Sequence, residues 1–167
     1  MSIEQEIINW DGKSSDEIDA IYCRHNDDNF FISQIIELAQ QEPLQKGATW
    51  LLKRHFEGGR QIEESQIAKI FGLLPNLKNW ETKLHILQSL PYMKIANTEK
   101  KEIEFFLRKC LTDKNKFVRA WAYNGFYELS MQHSEYMAET KQFLEMAMRD
   151  ETPSVKARIR NILKKGF

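Results

Sequence analysis

The stretch FLRKCLTDKNKFVRAWAYNGF, residues Phe106–Phe126, decides the fold because a second copy of it follows in the chain. Shifted by 37 residues, it overlays FLEMAMRDETPSVKARIRNIL, residues Phe143–Leu163. The identical pairs include Phe106 with Phe143, Leu107 with Leu144, Asp113 with Asp150, Val118 with Val155, and Asn124 with Asn161. Repetition at a period of about 20–50 residues indicates a solenoid, in which each repeat buries its apolar face by stacking on its neighbours.

The period also continues toward the N-terminus, where the sequence copies are less similar. Leu44, Thr82, Val118 and Val155 follow one another at steps of 38, 36 and 37 residues. Apolar residues recur three and four positions apart almost throughout, and period-two alternation is nearly absent, so the pattern predicts an all-α protein.

Ten helices are predicted, and short breaks join most of them into antiparallel hairpins. Two leading helices over 3–9 and 15–25 are indicated by the capping-box pairs Ser2 with Gln5 and Ser14 with Glu17. Four pairs then follow: 29–40 with 43–57, 63–74 with 79–90, 99–112 with 116–131, and 135–149 with 153–165. We therefore expect a single domain over 1–167, with capping helices in 1–27 and four helix-pair repeats in 28–167.

One apolar stripe is predicted on the second helix of each of the last two pairs, at the i, i+3, i+4, i+7 spacing of a buried helix face. In the third pair the stripe is Val118, Trp121, Ala122, Gly125, Phe126 and Leu129. In the fourth pair it is Val155, Ile159, Ile162 and Leu163.

The composition is that of an ordinary soluble domain, with 42% hydrophobic and 29% charged residues. No apolar run reaches the roughly 20 residues of a membrane-spanning helix, and the first residues lack the basic and apolar regions of a secretion signal. These features predict a cytoplasmic protein. Cys23 and Cys110 lie within helical patterns and are expected to be buried thiols rather than a disulfide or metal pair.

Charge is balanced over the whole chain but not among the helices. The 24 basic residues equal the 24 acidic ones, which argues against a dedicated nucleic-acid binder. The second-helix windows 43–57, 79–92, 116–131 and 153–167 nevertheless carry net charges of +2, 0, +1 and +5. The remaining segments are correspondingly acidic.

The turns that open the last two second helices resemble those of HEAT-repeat (armadillo-type) proteins. Asp113 to Arg119 reads Asp-Lys-Asn-Lys-Phe-Val-Arg, and Asp150 to Lys156 reads Asp-Glu-Thr-Pro-Ser-Val-Lys. The similarity covers residues 99–165 well and is degenerate in residues 29–90. It implies a right-handed α-α superhelix in which second helices line the concave side, and a ladder of structural bonds made by Asp113, Arg119, Asp150 and Lys156.

If second helices line one face, that face is electropositive and attracts acidic partners. The residues predicted to contact a partner are Lys53, Lys83, Tyr123, Tyr127, Arg160 and Lys164. Two alternatives stay open: the terminal helix carries only a solvated basic face, and the two tyrosines pack against the next repeat with their hydroxyls in water.

No pattern in the sequence points to catalysis, a metal or a cofactor. The four histidines lie far apart, no Gly-rich phosphate loop occurs, and no Ser or Cys has a nucleophile motif. The HEAT-like glycosylases of alkylated DNA pair a Trp with an Asp one helical turn away, and no tryptophan here has an acidic residue four positions later. We expect a non-enzymatic scaffold that binds an acidic protein segment, as a monomer or weak oligomer, with nucleic-acid binding as the alternative.

Overall fold

The computed structural model describes residues 1–167 and contains ten α-helices and no β-strand, which confirms the all-α prediction. The helices are α1 (Ile3–Asn9), α2 (Ser15–His25), α3 (Phe31–Leu38), α4 (Glu42–Glu57), α5 (Glu64–Phe71), α6 (Trp80–Ser89), α7 (Lys100–Leu111), α8 (Lys116–Gln132), α9 (Met137–Asp150) and α10 (Pro153–Leu163). Short 3₁₀ turns cover Leu74–Asn76, Leu90–Tyr92 and Ser134–Tyr136. None of the helices combines the length and the apolar character that crossing a membrane requires.

Polar side chains at the N-termini explain where several helices begin. The capping box at Ser2 is complete, because its hydroxyl accepts from the Gln5 amide and the Gln5 side chain accepts from the Ser2 amide. Ser14 caps α2 by accepting from the amide of Glu17 at 3.2 Å. Asn115 caps α8 and fixes its first turn, where the repeat pattern lies.

The chain forms two compact units, which we call the N-terminal unit (Met1–Tyr92) and the C-terminal unit (Met93–Phe167). In the N-terminal unit α4 is central and packs against α2, α3 and α6. Helix α1 also packs on α4 and contacts α2, so the two predicted capping helices form a hairpin of their own. The expectation of one domain over 1–167 stays a prediction.

In the C-terminal unit α8 is the central helix and packs against α7, α9 and α10. Its buried stripe is largely as predicted, with Val118, Ala122, Phe126 and Leu129 nearly inaccessible to solvent. The Phe126 ring meets the ring of Phe143 on α9 edge to face, with 5.0 Å between centroids. The first and second helices of successive hairpins thus share one core.

Three burial predictions were wrong. Trp121 is only half-buried, because a charged side chain from α10 rather than an apolar helix covers its ring. Leu163 is 42% exposed, whereas Phe126 at the equivalent position of α8 is covered by Phe143 of α9. Cys23 is exposed on α2, whereas Cys110 is buried as expected, and neither cysteine forms a disulfide.

Polar side chains also join neighbouring hairpins. In the N-terminal unit the hydroxyl of Thr49 on α4 lies 2.9 Å from Nδ1 of His85 on α6. Burial, with a smaller contribution from the charges of Lys53 and Lys46, lowers the pKa of His85 to about 3. His85 is therefore a neutral hydrogen-bonding group between two second helices.

Candidate binding surface

The six residues predicted to contact a partner are divided between the two units. Lys53 and Lys83 lie in the N-terminal unit, and Tyr123, Tyr127, Arg160 and Lys164 lie in the C-terminal unit. Each group is described within its own unit.

The cations of α4 in the N-terminal unit are neutralised by carboxylates. Lys53 pairs with Glu57 one turn further along the same helix, with 3.2 Å between Nζ and Oε1. Lys46 pairs with Glu81 of α6 at 2.8 Å, and Arg54 pairs with Asp19 of α2 at 2.8 Å. Lys83 is half-buried on α6. The net charge of +2 counted for α4 therefore overstates what this helix offers to a ligand.

Tyr127 is a packing residue in the C-terminal unit. Only 9% of it is exposed, and it belongs to an apolar cluster with Val155, Ile159 and Ile162 of α10. Its ring also meets the Phe167 ring edge to face at 5.2 Å. Tyr127 therefore packs against α10, and little of its side chain is accessible to a partner.

Tyr123 lies one turn earlier on α8 and is half-buried against the same cluster. Burial raises the pKa of its hydroxyl, and the charge of Glu151 raises it further. The structure thus brings Tyr123 and Tyr127 together at the contact between α8 and α10.

Arg160 and Lys164 are exposed on the side of α10 that corresponds to Tyr123 and Tyr127 on α8, 37 residues earlier. On α8 these positions pack toward the next second helix, whereas on α10 they meet solvent. They belong to a group of five cations that form no ion pair: Lys156, Arg158, Arg160, Lys164 and Lys165. The strongest unneutralised positive charge of the second helices is therefore on α10.

Arg119 links two neighbouring hairpins, and we call its contacts with Glu151 and with the turn before α8 the clasp. Its Nε and Nη2 donate to the two carboxylate oxygens of Glu151 at 2.9 and 3.3 Å, and its Nη1 donates to the backbone carbonyl of Asp113 at 2.9 Å. The side chain of Asp113 accepts from the amide of Asn115 and shapes the turn before α8. The carboxylate that Arg119 binds belongs to Glu151, which follows the predicted ladder residue Asp150. Lys156, the equivalent of Arg119 in the last hairpin, is half-buried without a carboxylate partner.

Sequence reasoning missed the pair Trp121 and Arg158. The central guanidinium carbon of Arg158 lies 4.1 Å from the centroid of the Trp121 ring, which is a cation–π contact between α8 and α10. A signal for this pair was present, because 121 and 158 are equivalent positions at the offset of 37 residues. Equivalent positions on adjacent second helices lie side by side in stacked hairpins.

Lys165 and Glu128 continue the same side of the two helices. Burial raises the pKa of the Glu128 carboxyl, and the charge of Lys165 partly offsets this rise. The Nζ atom of Lys165 also lies 5.2 Å from the Tyr127 ring centroid. The carboxyl of Glu128 is therefore harder to ionise than that of an exposed glutamate.

The histidines are held by separate hydrogen bonds in different parts of the fold. Their partners are Glu6 for His25, Tyr22 for His55, Thr49 for His85, and the carbonyl of Ile95 for His133. No three His, Cys, Asp or Glu side chains lie together as metal ligands would.

Comparison of the chain with protein-family models, curated proteins and solved structures finds no match.

Proposed function

We propose that this chain is a HEAT-like repeat protein, a right-handed α-α superhelix without enzymatic activity, that binds an acidic protein segment on its second helices. The observation that carries the proposal is the set of five cations in 153–167 that form no ion pair. Cations left without carboxylates attract anionic partners and raise the rate of encounter with them.

The repeat architecture is supported within each unit by which helices touch. Second helices contact one another, α2 with α4 and α4 with α6 in one unit and α8 with α10 in the other. Thr49 and His85 bond across 36 residues, and Arg119 and Glu151 across 32, which are separations close to the sequence period. Bonds at such spacing are what stacked hairpins of this size produce.

Binding is favoured over catalysis because the titratable groups with shifted pKa are accounted for by packing. His55 and His85 have pKa values lowered by burial, to about 4 and about 3, and each bonds to a hydroxyl on a neighbouring helix. Glu128 has its pKa raised by burial beside α10. We assign these groups structural roles.

The test is charge reversal of two exposed cations of α10, Arg160→Glu with Lys164→Glu. Fluorescein-labelled poly-L-glutamate is the probe, and its fluorescence anisotropy reports binding. We expect wild-type binding to be abolished in the double variant. Helicity and melting temperature should be nearly unchanged, since exposed substitutions usually cost under about 0.5 kcal/mol each.

A matched control carries the same charge change in the N-terminal unit. Lys69→Glu with Lys78→Glu alters two exposed lysines that form no ion pair. This control should bind poly-L-glutamate as the wild type does. Equal binding by the wild type and the α10 variant would refute the role of α10.

The salt dependence of binding distinguishes the proposed function from the alternative of nucleic-acid binding. A fluorescein-labelled oligothymidylate should bind more weakly than poly-L-glutamate, with the steep loss of affinity on added salt that phosphate neutralisation produces. Tighter binding of the oligonucleotide at every ionic strength would replace the acidic protein segment with nucleic acid as the partner.

A further inference from the structure

The contact between Arg158 and Trp121 leaves the donor edge of the guanidinium available. The guanidinium carbon lies over the indole ring, 4.1 Å from its centroid, and the N–H groups of Arg158 make no hydrogen bond or ion pair. A guanidinium carries its five N–H donors in its plane, in a fork that matches a carboxylate. These donors can therefore bind an anion while the cation stays on the indole ring.

Arg158 binds no carboxylate, unlike two other arginines of the second helices, Arg54 and Arg119. Arg54 binds Asp19 and Arg119 binds Glu151, each through a carboxylate at hydrogen-bond distance. Arg158 makes no ion pair or side-chain hydrogen bond, although it is half-buried. Burial without a counter-ion lowers the pKa of its guanidinium, which shows that the charge is poorly solvated.

The neighbours of this pair supply both an apolar and a basic contact. Phe117 lies one turn before Trp121 on the same side of α8 and is 46% exposed. Lys165 lies seven residues after Arg158, on the same side at the end of α10. A segment lying along this side would meet an aromatic surface, then a guanidinium, then the ammonium group of Lys165 beside the half-buried carboxyl of Glu128.

We propose that Arg158, oriented by Trp121, is the anchor of the acidic segment and takes one of its carboxylate side chains edge-on, while an adjacent large apolar residue of that segment packs on Phe117. This inference rests on the proposed function and specifies its partner as an acidic segment in which Asp or Glu stands next to a large apolar residue. Arg160 and Lys164 then attract the acidic segment by charge and do not distinguish one segment sequence from another.

Two labelled peptides of equal charge test the anchor. One repeats Glu-Glu-Phe-Ser four times, and the other replaces each Phe with Ser. The variant is Arg158→Lys, which keeps the charge and removes the planar fork, and the matched control is Arg149→Lys, an exposed arginine of α9 in the same unit. Fluorescence anisotropy gives each affinity, and the melting temperature of each variant confirms folding.

We expect the wild type to prefer the Phe-containing peptide and Arg158→Lys to weaken its binding by about tenfold, the loss typical of a charge-assisted hydrogen-bonded pair. Arg149→Lys should stay within about twofold, since a surface ammonium replaces a surface guanidinium at little cost. Phe117→Ser should lower binding of the Phe-containing peptide to that of the other peptide, which a purely structural role for Arg158 does not predict.

The outcomes separate this inference from the proposed function. If the wild type binds both peptides and Arg158→Lys binds as tightly as the wild type, the anchor is wrong and acidic binding by α10 stands. If the wild type binds neither peptide, both are overturned. Equal losses in Arg158→Lys and Arg149→Lys would also overturn the anchor, because the loss would then not depend on the site at Arg158.

Discussion

Helices α8 and α10 occupy equivalent places in successive hairpins, yet their side chains are used differently. On α8, Arg119 is clasped by Glu151 and Tyr127 is enclosed by α10 and Phe167. On α10 the equivalent residues, Lys156 and Lys164, have no ionic partner. The comparison teaches that equivalent positions in the sequence repeat can be packed and paired on one helix and open to solvent on the other.

The largest expected difference between the two helices is in the core. Phe126→Ala should destabilise the protein by about 3–5 kcal/mol, because it opens a cavity at a side chain that is 1% exposed. Leu163→Ala at the equivalent position of α10 should cost under about 1 kcal/mol, since Leu163 is largely exposed. Urea unfolding followed by circular dichroism measures both. Equal costs would mean that α10 is covered in solution.

The next effect concerns the clasp between hairpins. Arg119→Gln should cost about 1.5–3 kcal/mol, because it leaves the half-buried carboxylate of Glu151 without its charged partner. Lys156→Gln, the matched change on α10, should cost under about 0.5 kcal/mol. Thermal melting of the two variants compares them directly. A silent Arg119→Gln would show that the clasp contributes nothing to the stacking of hairpins.

A third prediction extends the comparison to the N-terminal unit, where His85 joins α6 to α4. Its pKa is lowered to about 3 in the folded protein, so its contribution to stability is fully present above its ordinary pKa near 6.5 and is lost as pH falls toward 3. Stability should fall by about 2 kcal/mol between pH 6.5 and 4.5 on account of this residue, at about 1.4 kcal/mol per pH unit. His85→Gln should remove that part of the pH dependence in urea unfolding. An unchanged dependence would mean that His85 is protonated in the folded state.

The smallest effect concerns Glu128 and its neighbour Lys165. Because burial raises the pKa of Glu128, its contribution to stability is present below its ordinary pKa near 4.5 and is lost as pH rises through the raised value. Lys165→Gln should enlarge that loss by removing the cation that favours ionised Glu128. Glu128→Gln should abolish it. Melting temperatures from pH 4 to pH 7 show the sign, and a shift in the opposite direction for Lys165→Gln would contradict the pairing.

The helices were largely predictable because their signals are local. The capping pairs at Ser2 and Ser14 located α1 and α2 at the observed bounds, and the paired breaks located the other eight helices within a few residues. The final helix was expected over 153–165 and ends at Leu163. Periodicity and capping residues are local features of the sequence, and they are enough to predict that a helix is present.

The candidate surface was less predictable because it depends on partners distant in sequence. Charge counts could not reveal that Lys53 meets Glu57 and Lys46 meets Glu81 while the cations of α10 remain unpaired. Periodicity placed Trp121 in the core because its spacing matches the buried stripe. Spacing does not show whether a leucine or a guanidinium covers the ring. The right comparison, position 121 with position 158, was available in the repeat and identifies which side chains meet.

The two cysteines differ in exposure, so a thiol reagent can measure how readily the C-terminal unit opens. Cys23 is exposed on α2 and should react at once with a maleimide, whereas Cys110 is shielded within the C-terminal unit and should react only when that unit opens. The slow rate of the second modification then gives the free energy of opening without any denaturant. Labelling Cys23 with a fluorophore beforehand does not prevent measurement of the modification rate of Cys110.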